Sequence, residues 1–255
     1  MNLKKSIYYR AKSFVERVNL SNTIERNRLS DSDLGELPIN FIEIMETIKN
    51  YRLKANILLD IGAYKGLFSK VSNAFFNFDK IICFEPNKEM NEIIEHNNEK
   101  RKLVIENIAL SNQVGQTIFF LHQDASMNSI VAVENEILKT EFPWDNPDLL
   151  KKTIVNTITL DHYIERNAFN NETFIIKIDT QGNELNVLKN GIKTLKQTEI
   201  CLIEYMFLTP YKSDFSFYNL LEFMNKNEFD CKGALTISKR PSKKISAVDF
   251  LFVKR

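Results

Sequence analysis

The chain has 255 residues, 44% of them hydrophobic, which is enough to bury the core of one large globular domain. Its 34 Lys and Arg residues nearly balance its 33 Asp and Glu residues, so the formal charge is only +1. Nucleic-acid-binding domains are usually strongly basic, and we therefore expect no nucleic-acid partner.

Two further features bear on location. No apolar run approaches the ~18 residues of a membrane span, and charges interrupt the N-terminal segment where a signal peptide would have its apolar core. The cysteines lie in apolar, strand-like runs without CxxC spacing: Cys83, Cys201 and Cys231. We expect three buried, reduced thiols and a cytoplasmic location.

Residues 1–50 are polar and lack a strand pattern, which predicts a helical N-terminal extension. One packed face is expected from apolar residues that recur with helical spacing: Phe41, Ile42, Ile44, Met45 and Ile48. The extension is expected to pack on the main domain. Contact with a membrane surface or with a second copy of the chain is the alternative.

From residue 56 onward, apolar strand-like runs alternate with helical patterns. The runs are NILLDIGA, KIICFEPN, KLVIENIAL, TFIIKIDTQG, EICLIEYMF, FDCKGALTI and AVDFLFVKR. This alternation predicts an α/β domain with a doubly wound, mostly parallel sheet. The last two strands have no helix between them and should form an antiparallel hairpin at one edge. Gly191 is expected to bend or shorten the helix after the fourth strand.

An insertion separates the third and fourth strands, at about residues 112–158. It begins with the extra strand GQTIFFLHQ, ends with TIVNTITL, and carries the only Trp in between. The middle is too long and mixed for a simple crossover. Since insertions in parallel α/β folds often cover the active site, we expect a lid.

Ligands of doubly wound sheets bind at the carboxyl ends of the strands. The first strand ends in DIGAYKG at residues 60–66, where Gly62 and Gly66 would let the backbone turn tightly and approach a ligand. This is not the dinucleotide motif G-x-G-x-x-G, and Asp60 would repel a pyrophosphate but suit an ammonium group. A plain strand-to-helix turn is the alternative.

The next two strand ends complete a nucleoside pattern. Glu85, followed by Pro86, could accept hydrogen bonds from both hydroxyls of a ribose, although a solvated acid at a strand end is the alternative. Asn107 and Ile108 could contact the edge and the face of an adenine. Together with the first strand end, these residues indicate a nucleoside with a cationic, carboxylate-bearing tail and no phosphate, as in S-adenosylmethionine.

Six segments in this order carry a family resemblance: DIGAYKG (60–66), FEP (84–86), ENIALS (106–111), TLDHYI (159–164), KIDTQGNELNVLKNG (177–191) and IEY (203–205). From about residue 55 to the C-terminus, the chain resembles the FkbM family of class I S-adenosylmethionine-dependent methyltransferases. The resemblance implies a methyltransferase domain at 51–255, with a seven-stranded Rossmann-like sheet and a reversed final hairpin. It also implies O-methylation of sugar or natural-product hydroxyls.

Two positions depart from the family pattern. Tyr64 stands where the family often has Asn or Gly, and His162 replaces a common acid. The cofactor-binding residues that we expect are Asp60, Gly62, Ala63, Tyr64, Gly66, Glu85, Pro86, Asn107, Ile108 and Asp179.

The acceptor chemistry points to the fourth and fifth strand ends. A sugar hydroxyl is a poor nucleophile, and a nearby base typically contributes about 10²–10⁴-fold. Lys177 and Asp179 are two apart on a strand and so share a face. We expect Asp179 to contact the cofactor or the acceptor, and Lys177 or Glu204 to orient the acceptor. A Lys–acid pair that only holds strand ends together, with Glu184 as a helix cap, is the alternative.

The insertion supplies further candidates. His122 lies next to the expected lid and could act as a base, or it is only a polar residue of an extra strand. Ser126, Asn128 and Ser129 are expected to touch cofactor or acceptor. Phe142 and Trp144 either wall a sugar pocket or pack internally.

No His, Asp and Glu trio has clear metal-ligand spacing, so we assign no metal, although the acids Asp124, Asp179 and Glu204 leave a divalent ion open.

The favoured function is O-methylation of a sugar or nucleotide-linked sugar in bacterial surface polysaccharide biosynthesis. The alternatives are a non-sugar natural product as acceptor, or a non-catalytic binding protein. An NAD-dependent oxidoreductase is disfavoured by the missing G-x-G-x-x-G. A homo-oligomer is left open.

Overall fold

The computed structural model describes residues 39–98, 102–212, 215–240 and 242–255. It contains ten strands: β1 (Ile57–Ile61), β2 (Lys80–Phe84), β3 (Leu103–Glu106), β4 (Ile108–Leu110), β5 (Gly115–Leu121), β6 (Lys151–Ile158), β7 (Phe174–Ile178), β8 (Thr198–Met206), β9 (Phe229–Lys239) and β10 (Ile245–Lys254). Eight α-helices accompany them in the described ranges: α1 (Ile39–Lys49), α2 (Leu67–Phe75), α3 (Asn91–Asn97), α4 (Asn135–Glu141), α5 (Leu160–Arg166), α6 (Glu184–Lys189), α7 (Ile192–Leu195) and α8 (Phe217–Lys226).

Seven strands form one sheet in the order β3-β2-β1-β7-β8-β10-β9. The first five are parallel, and β10 is antiparallel to both β8 and β9. All five residues of β1 and of β7 are buried, as expected for central strands covered on both faces. The predicted doubly wound α/β sheet with an antiparallel C-terminal hairpin is confirmed.

Alternate side chains of each central strand enter separate cores. Ile57, Leu59 and Ile61 of β1 pack with apolar residues of α5 to α8, whereas Leu58 packs with α1, α2 and α3. Burying each such side chain contributes roughly 1.5–3 kcal/mol. Gly191 separates α6 from α7, as its position inside the helical pattern predicted.

The insertion contains the two predicted extra strands. β5 and β6 pair antiparallel, and β4 joins β6 in parallel, so that three strands form a second, small sheet. β4 comes from the same apolar run as β3. That run, predicted as one strand, is divided between the two sheets at Asn107.

Only the last part of the N-terminal extension lies inside the described residues. There α1 buries Ile42, Ile44, Met45 and Ile48 against the domain, which confirms the predicted packed face. The prediction for residues 1–38 lies outside the described part of the chain. None of the helices in the described ranges has the length and apolar content needed to cross a membrane.

The expectation of three buried thiols is corrected. Cys83 and Cys201 are buried in central strands, but Cys231 is exposed. It lies on β9, the edge strand, so no neighbouring strand covers its outer side.

Candidate active site at the carboxyl edge of the sheet

A cavity of about 270 Å³ opens at the carboxyl ends of β1, β2 and β7, beneath part of the insertion. Its apolar wall includes Phe41, Phe68, Phe84, Ile108, Leu110 and Phe119. The polar side chains that line it include Glu85, Asn128, Ser129, Lys177, Asp179 and Gln181. The site therefore combines an extended apolar surface with a few charged groups, which is typical of small-molecule sites.

The loop after β1 is pressed against the end of β7. Gly62 has φ +77°, and a Cβ added there would lie 1.8 Å from the carbonyl oxygen of Asp179. The Gly62 and Ala63 amides donate to the Phe84 carbonyl at 3.0 and 3.2 Å. Gly62, Ala63 and Tyr64 line the cavity, whereas Gly66 precedes α2 outside the lining.

Glu85 is held at the end of β2 by backbone donors. Its Oε2 accepts from the Tyr64 amide and its Oε1 from the Asn87 amide, both at 2.9 Å. Burial raises the pKa of the Glu85 carboxyl to about 7, although these amides lower it. Each oxygen retains a lone pair, so the carboxylate can still accept hydrogen bonds from a ligand in the cavity.

One neighbour of Glu85, Asn107, has a position different from that expected for a direct ligand contact. Asn107 donates to the Glu85 carbonyl at 2.9 Å and pairs with Asn91, so it supports the loop from outside the cavity lining. Pro86 and Ile108 do line the cavity.

Asp60 lies deeper than the sequence suggested. It is fully buried, accepts from the Ser69 hydroxyl at 2.6 Å, and is outside the cavity lining. The physical reason is its register, because Asp60 pairs with Lys177 one residue inside the end of β1. Its Oδ1 lies 3.7 Å from Lys177 Nζ. Asp60 therefore supports Lys177 in this structure and has no direct access to the cavity.

Lys177 is the cation between two carboxylates. Its Nζ donates to the Gly62 carbonyl at 2.8 Å and lies 3.2 Å from Asp179 Oδ2. Burial lowers the pKa of Lys177, but Asp179 and Asp60 outweigh burial and leave that pKa above its usual range. Lys177 is therefore charged at neutral pH, and its charge is fixed beside Asp179.

Asp179 lines the cavity with 30% of its side chain exposed. Gln181 Nε2 donates to Asp179 Oδ1 at 2.7 Å and to Glu204 Oε2 at 3.0 Å. Burial, followed by the charges of Asp179 and Asp249, raises the pKa of Glu204 well above its usual value. Glu204 thus lies behind Gln181, outside the lining, where it can act on the cavity only through other groups.

Glu184 closes the turn that follows Asp179. Its Oε1 accepts from the Thr180 amide at 2.9 Å and from the Gly182 amide at 3.0 Å. These bonds hold Gln181 with a left-handed φ of 57°, which costs energy for a non-glycine residue. The acid therefore fixes the position of Gln181.

His122 is fully buried and hydrogen-bonds to Asp145, which also accepts from the Gln123 amide at 2.9 Å. It is not among the cavity-lining residues, whereas its neighbours Ser126, Asn128 and Ser129 are. Ser129 donates to the Gln181 carbonyl at 2.8 Å and joins the insertion to the turn after β7.

The remaining insertion candidates differ in exposure. Phe142 is fully buried, and Trp144 is 44% exposed. No group of three or more His, Cys, Asp and Glu side chains is arranged to hold a metal ion in the part of the chain that the structure describes.

Three residues of this region were missed by sequence reasoning. Gln181 lies inside the quoted motif, so its amide could have been considered. Asp249 is a charge in an apolar strand, the same signal that singled out Lys177, and it pairs with Glu204 in the sheet. Tyr211, whose hydroxyl lies 3.1 Å from Gln181 Oε1, comes from a loop without a pattern.

The residues present fit S-adenosylmethionine. Glu85 offers free acceptor capacity for ribose hydroxyls, Phe84 and Ile108 offer faces for an adenine, and Gly62 brings the backbone to the cavity wall. Asp179 adds a carboxylate that can face a cationic sulfonium.

Two solved structures are similar to this chain at low sequence identity. A putative RNA methyltransferase from Pyrococcus horikoshii is 12% identical, with 86% of this chain and 84% of that chain covered and a TM-score of 0.45. A putative tRNA (m1A22) methyltransferase from Streptococcus pneumoniae, in complex with S-adenosyl-L-methionine, is also 12% identical, with 84% and 73% covered and a TM-score of 0.45. No curated protein matches this chain.

The family assignment rests on the sequence of the domain. Residues 60–231 match the methyltransferase FkbM domain. This match spans more than half of the chain and includes the loops after β1, β2 and β7. The chain therefore belongs to the FkbM family of class I methyltransferases, whose cofactor is S-adenosylmethionine.

Proposed function

We propose that this methyltransferase methylates a hydroxyl of a small molecule, a sugar or nucleotide-linked sugar in bacterial surface polysaccharide biosynthesis, and that it acts in the cytoplasm. The observation that carries the proposal is Asp179. It is a carboxylate that reaches the cavity while Lys177 and Gln181 fix its two oxygens from behind. A positioned carboxylate is what deprotonation of a sugar hydroxyl requires.

Each group has a defined task in this proposal. The cofactor, when bound, supplies an electrophilic methyl group on a sulfonium. Asp179 accepts the proton of the acceptor hydroxyl, and Lys177 and Gln181 hold the carboxylate in place. Glu204 and Asp60 act as positioning residues, through Gln181 and Lys177 respectively. Glu85, Gly62, Ala63, Tyr64, Pro86 and Ile108 are the proposed cofactor contacts.

The insertion has the task of excluding water. Phe119 and Ile130 present apolar surface to the cavity, and Ser129 joins the insertion to the turn after β7. His122, predicted as a base, lies where it supports the insertion through Asp145. A base role for His122 stays a prediction that would require the insertion to move.

The direct test combines the purified protein, labelled S-adenosylmethionine and a panel of acceptors. The panel contains free sugars, nucleotide-linked sugars, hydroxylated natural products and a tRNA mixture. We expect S-adenosylhomocysteine release with a hydroxylated small molecule, and mass spectrometry should place the added methyl on oxygen. No cofactor binding at millimolar concentration would reject enzymatic function. Cofactor binding without turnover on any acceptor would favour the non-catalytic alternative.

Cofactor affinity should depend on pH through Glu85, whose pKa is about 7. If the ionised carboxylate is the form that accepts ribose hydroxyls, protonation competes with binding. The apparent Kd should then fall about 10-fold from pH 6 to pH 8 and level off above that. Calorimetric titration across this range measures it.

The matched variants are Glu85→Gln and Glu204→Gln. The first should bind weakly with little pH dependence, because the titrating group is gone. The second should keep the wild-type dependence, since Glu204 lies outside the cavity lining. An unchanged profile in Glu85→Gln would contradict the assignment.

A further inference from the structure

The turn between β9 and β10 lies at the same edge of the sheet as the cavity. Met206, the last residue of β8, pairs with Ala247 of β10, which in turn pairs with Ser238 of β9. The carboxyl end of β8 and the turn residues 240 and 242–244 are therefore neighbours. The turn therefore lies beside the strand that carries Glu204 and outside the cavity lining.

The turn is strongly basic. Four cationic side chains fall between positions 239 and 244: Lys239, Arg240, Lys243 and Lys244. Lys244 is paired with Glu141 of α4 at 2.6 Å. Lys239, Arg240 and Lys243 form no ion pair with any residue in the described ranges, so they give this edge a local positive charge although the chain is nearly neutral.

The Arg240 side chain stacks on aromatic rings, and its guanidinium donates no hydrogen bond to a residue in the described ranges. Its guanidinium carbon lies 3.7 Å from the centre of the Phe142 ring and 5.2 Å from that of Trp144. Its Nε is buried and has no hydrogen-bond partner among the described residues. Burial lowers the pKa of Arg240, and Glu204 and Tyr211 are close enough to oppose that effect. This arrangement places Arg240 near the end of β8.

An arginine in this state suits an anionic ligand. A partly buried guanidinium whose Nε has no hydrogen-bond partner has donors available, and an oxyanion could accept charge-assisted hydrogen bonds from them. The planar fork matches phosphate oxygens, and stacking on aromatic rings pre-orients it. Arg240 is not needed to anchor the turn, because the Lys244–Glu141 pair already connects the turn to the insertion.

We propose that Arg240, with Lys239 and Lys243 beside it, binds a phosphate group of the acceptor, and that the acceptor is therefore a phosphorylated or nucleotide-linked small molecule. The clustering of cations favours a multiply charged phosphate over a single carboxylate. Trp144, 44% exposed beside the guanidinium, provides an aromatic surface for the organic part of the acceptor. This inference rests on the proposed function for the reaction site.

The test uses ligand binding and does not depend on turnover. Protein saturated with S-adenosylhomocysteine is titrated by calorimetry with uridine diphosphate, inorganic pyrophosphate and glucuronate. The variants are Arg240→Met, which keeps an apolar side chain over Phe142, and Arg240→Lys, which keeps the charge without the planar fork. Lys232→Gln is the control, because it removes a positive charge from the opposite end of β9.

We expect both phosphate probes to bind the wild type and to bind Arg240→Met about 10–100-fold more weakly, as for loss of charge-assisted hydrogen bonds. The phosphate affinity of Arg240→Lys should lie between those of the wild type and Arg240→Met. The phosphate affinity of Lys232→Gln should equal that of the wild type. Affinity for S-adenosylhomocysteine and the Tm should be unchanged in all variants.

Three results would overturn the inference. Equal phosphate affinity in wild type and Arg240→Met would reject it, and so would a fall in Tm without any change in phosphate affinity, which would indicate only a structural contact. Binding of glucuronate but not of the phosphates would assign the site to carboxylates. Conversely, Arg240-dependent phosphate binding in a protein that methylates no hydroxyl would support the anion site and reject the proposed function.

Discussion

The Asp179→Asn variant is expected to lose about 10²–10⁴-fold in kcat, the usual contribution of a positioned general base. The amide cannot take up the acceptor proton, although it is nearly the same size as the carboxylate. Cofactor affinity should change far less, because Glu85 and the apolar wall remain. Single-turnover kinetics with labelled S-adenosylmethionine, together with calorimetric binding, separate the two effects.

This variant also removes the nearest countercharge of a buried lysine. Asp60, 3.7 Å away, would then be the nearest carboxylate to Lys177 in the described ranges, so we expect stability to fall by about 1–3 kcal/mol. The triple variant Asp60→Asn, Lys177→Met and Asp179→Asn removes all three charges of the group and should regain much of that stability without regaining activity. Asp230→Asn, at the opposite end of the sheet, is the matched single change and should leave kcat intact. Near-normal kcat in Asp179→Asn would contradict the proposed base.

The Gly62→Ala variant should destabilise the domain more than any other substitution that adds a single methyl group to a glycine. The new Cβ would lie 1.8 Å from the Asp179 carbonyl oxygen, and the backbone at φ +77° is unfavourable for alanine. Both effects push the loop after β1 away from the end of β7. We expect a loss of about 3 kcal/mol or more in unfolding free energy and no measurable cofactor binding. Denaturant unfolding and calorimetry measure these quantities.

Gly115→Ala is the matched control for that variant. Gly115 also has a positive φ, but a Cβ there would meet no atom within 4 Å. The Gly115→Ala variant should therefore lose only the stability that the unfavourable backbone conformation costs, without a steric clash. It should still bind the cofactor. If the two variants lost equal stability, the close contact between Gly62 and Asp179 would not be the cause.

Some features of the site were predictable because they depend on local chemistry. Glu85 and Gly62 follow apolar strands of a parallel sheet, and the ends of such strands meet at one edge. Lys177 and Asp179 share a face because side chains alternate along a strand. These periodicities follow from the order of residues along the chain, so these site residues could be predicted from the sequence.

Other features depend on which strands become neighbours and in what register. Asp60 looked like a ligand contact, but pairing with Lys177 places it one residue below the cavity. Asp249 is nearly the last charge in the chain, yet it lies beside Glu204 because β10 inserts between β8 and β9. Cys231 is exposed because its strand is at the edge of the sheet.

The sequence by itself determined the alternation of strands and helices, the loops that line the cavity, and the family. Each of these follows from hydrophobic period or from residues close together in the chain. Only the tertiary structure decided which charges reach the cavity and which lie behind it, and it alone brought Arg240 to the aromatic rings of the insertion. Those outcomes arise from contacts between residues up to about 120 positions apart, and burial and charge at each of them depend on neighbours that no local pattern specifies.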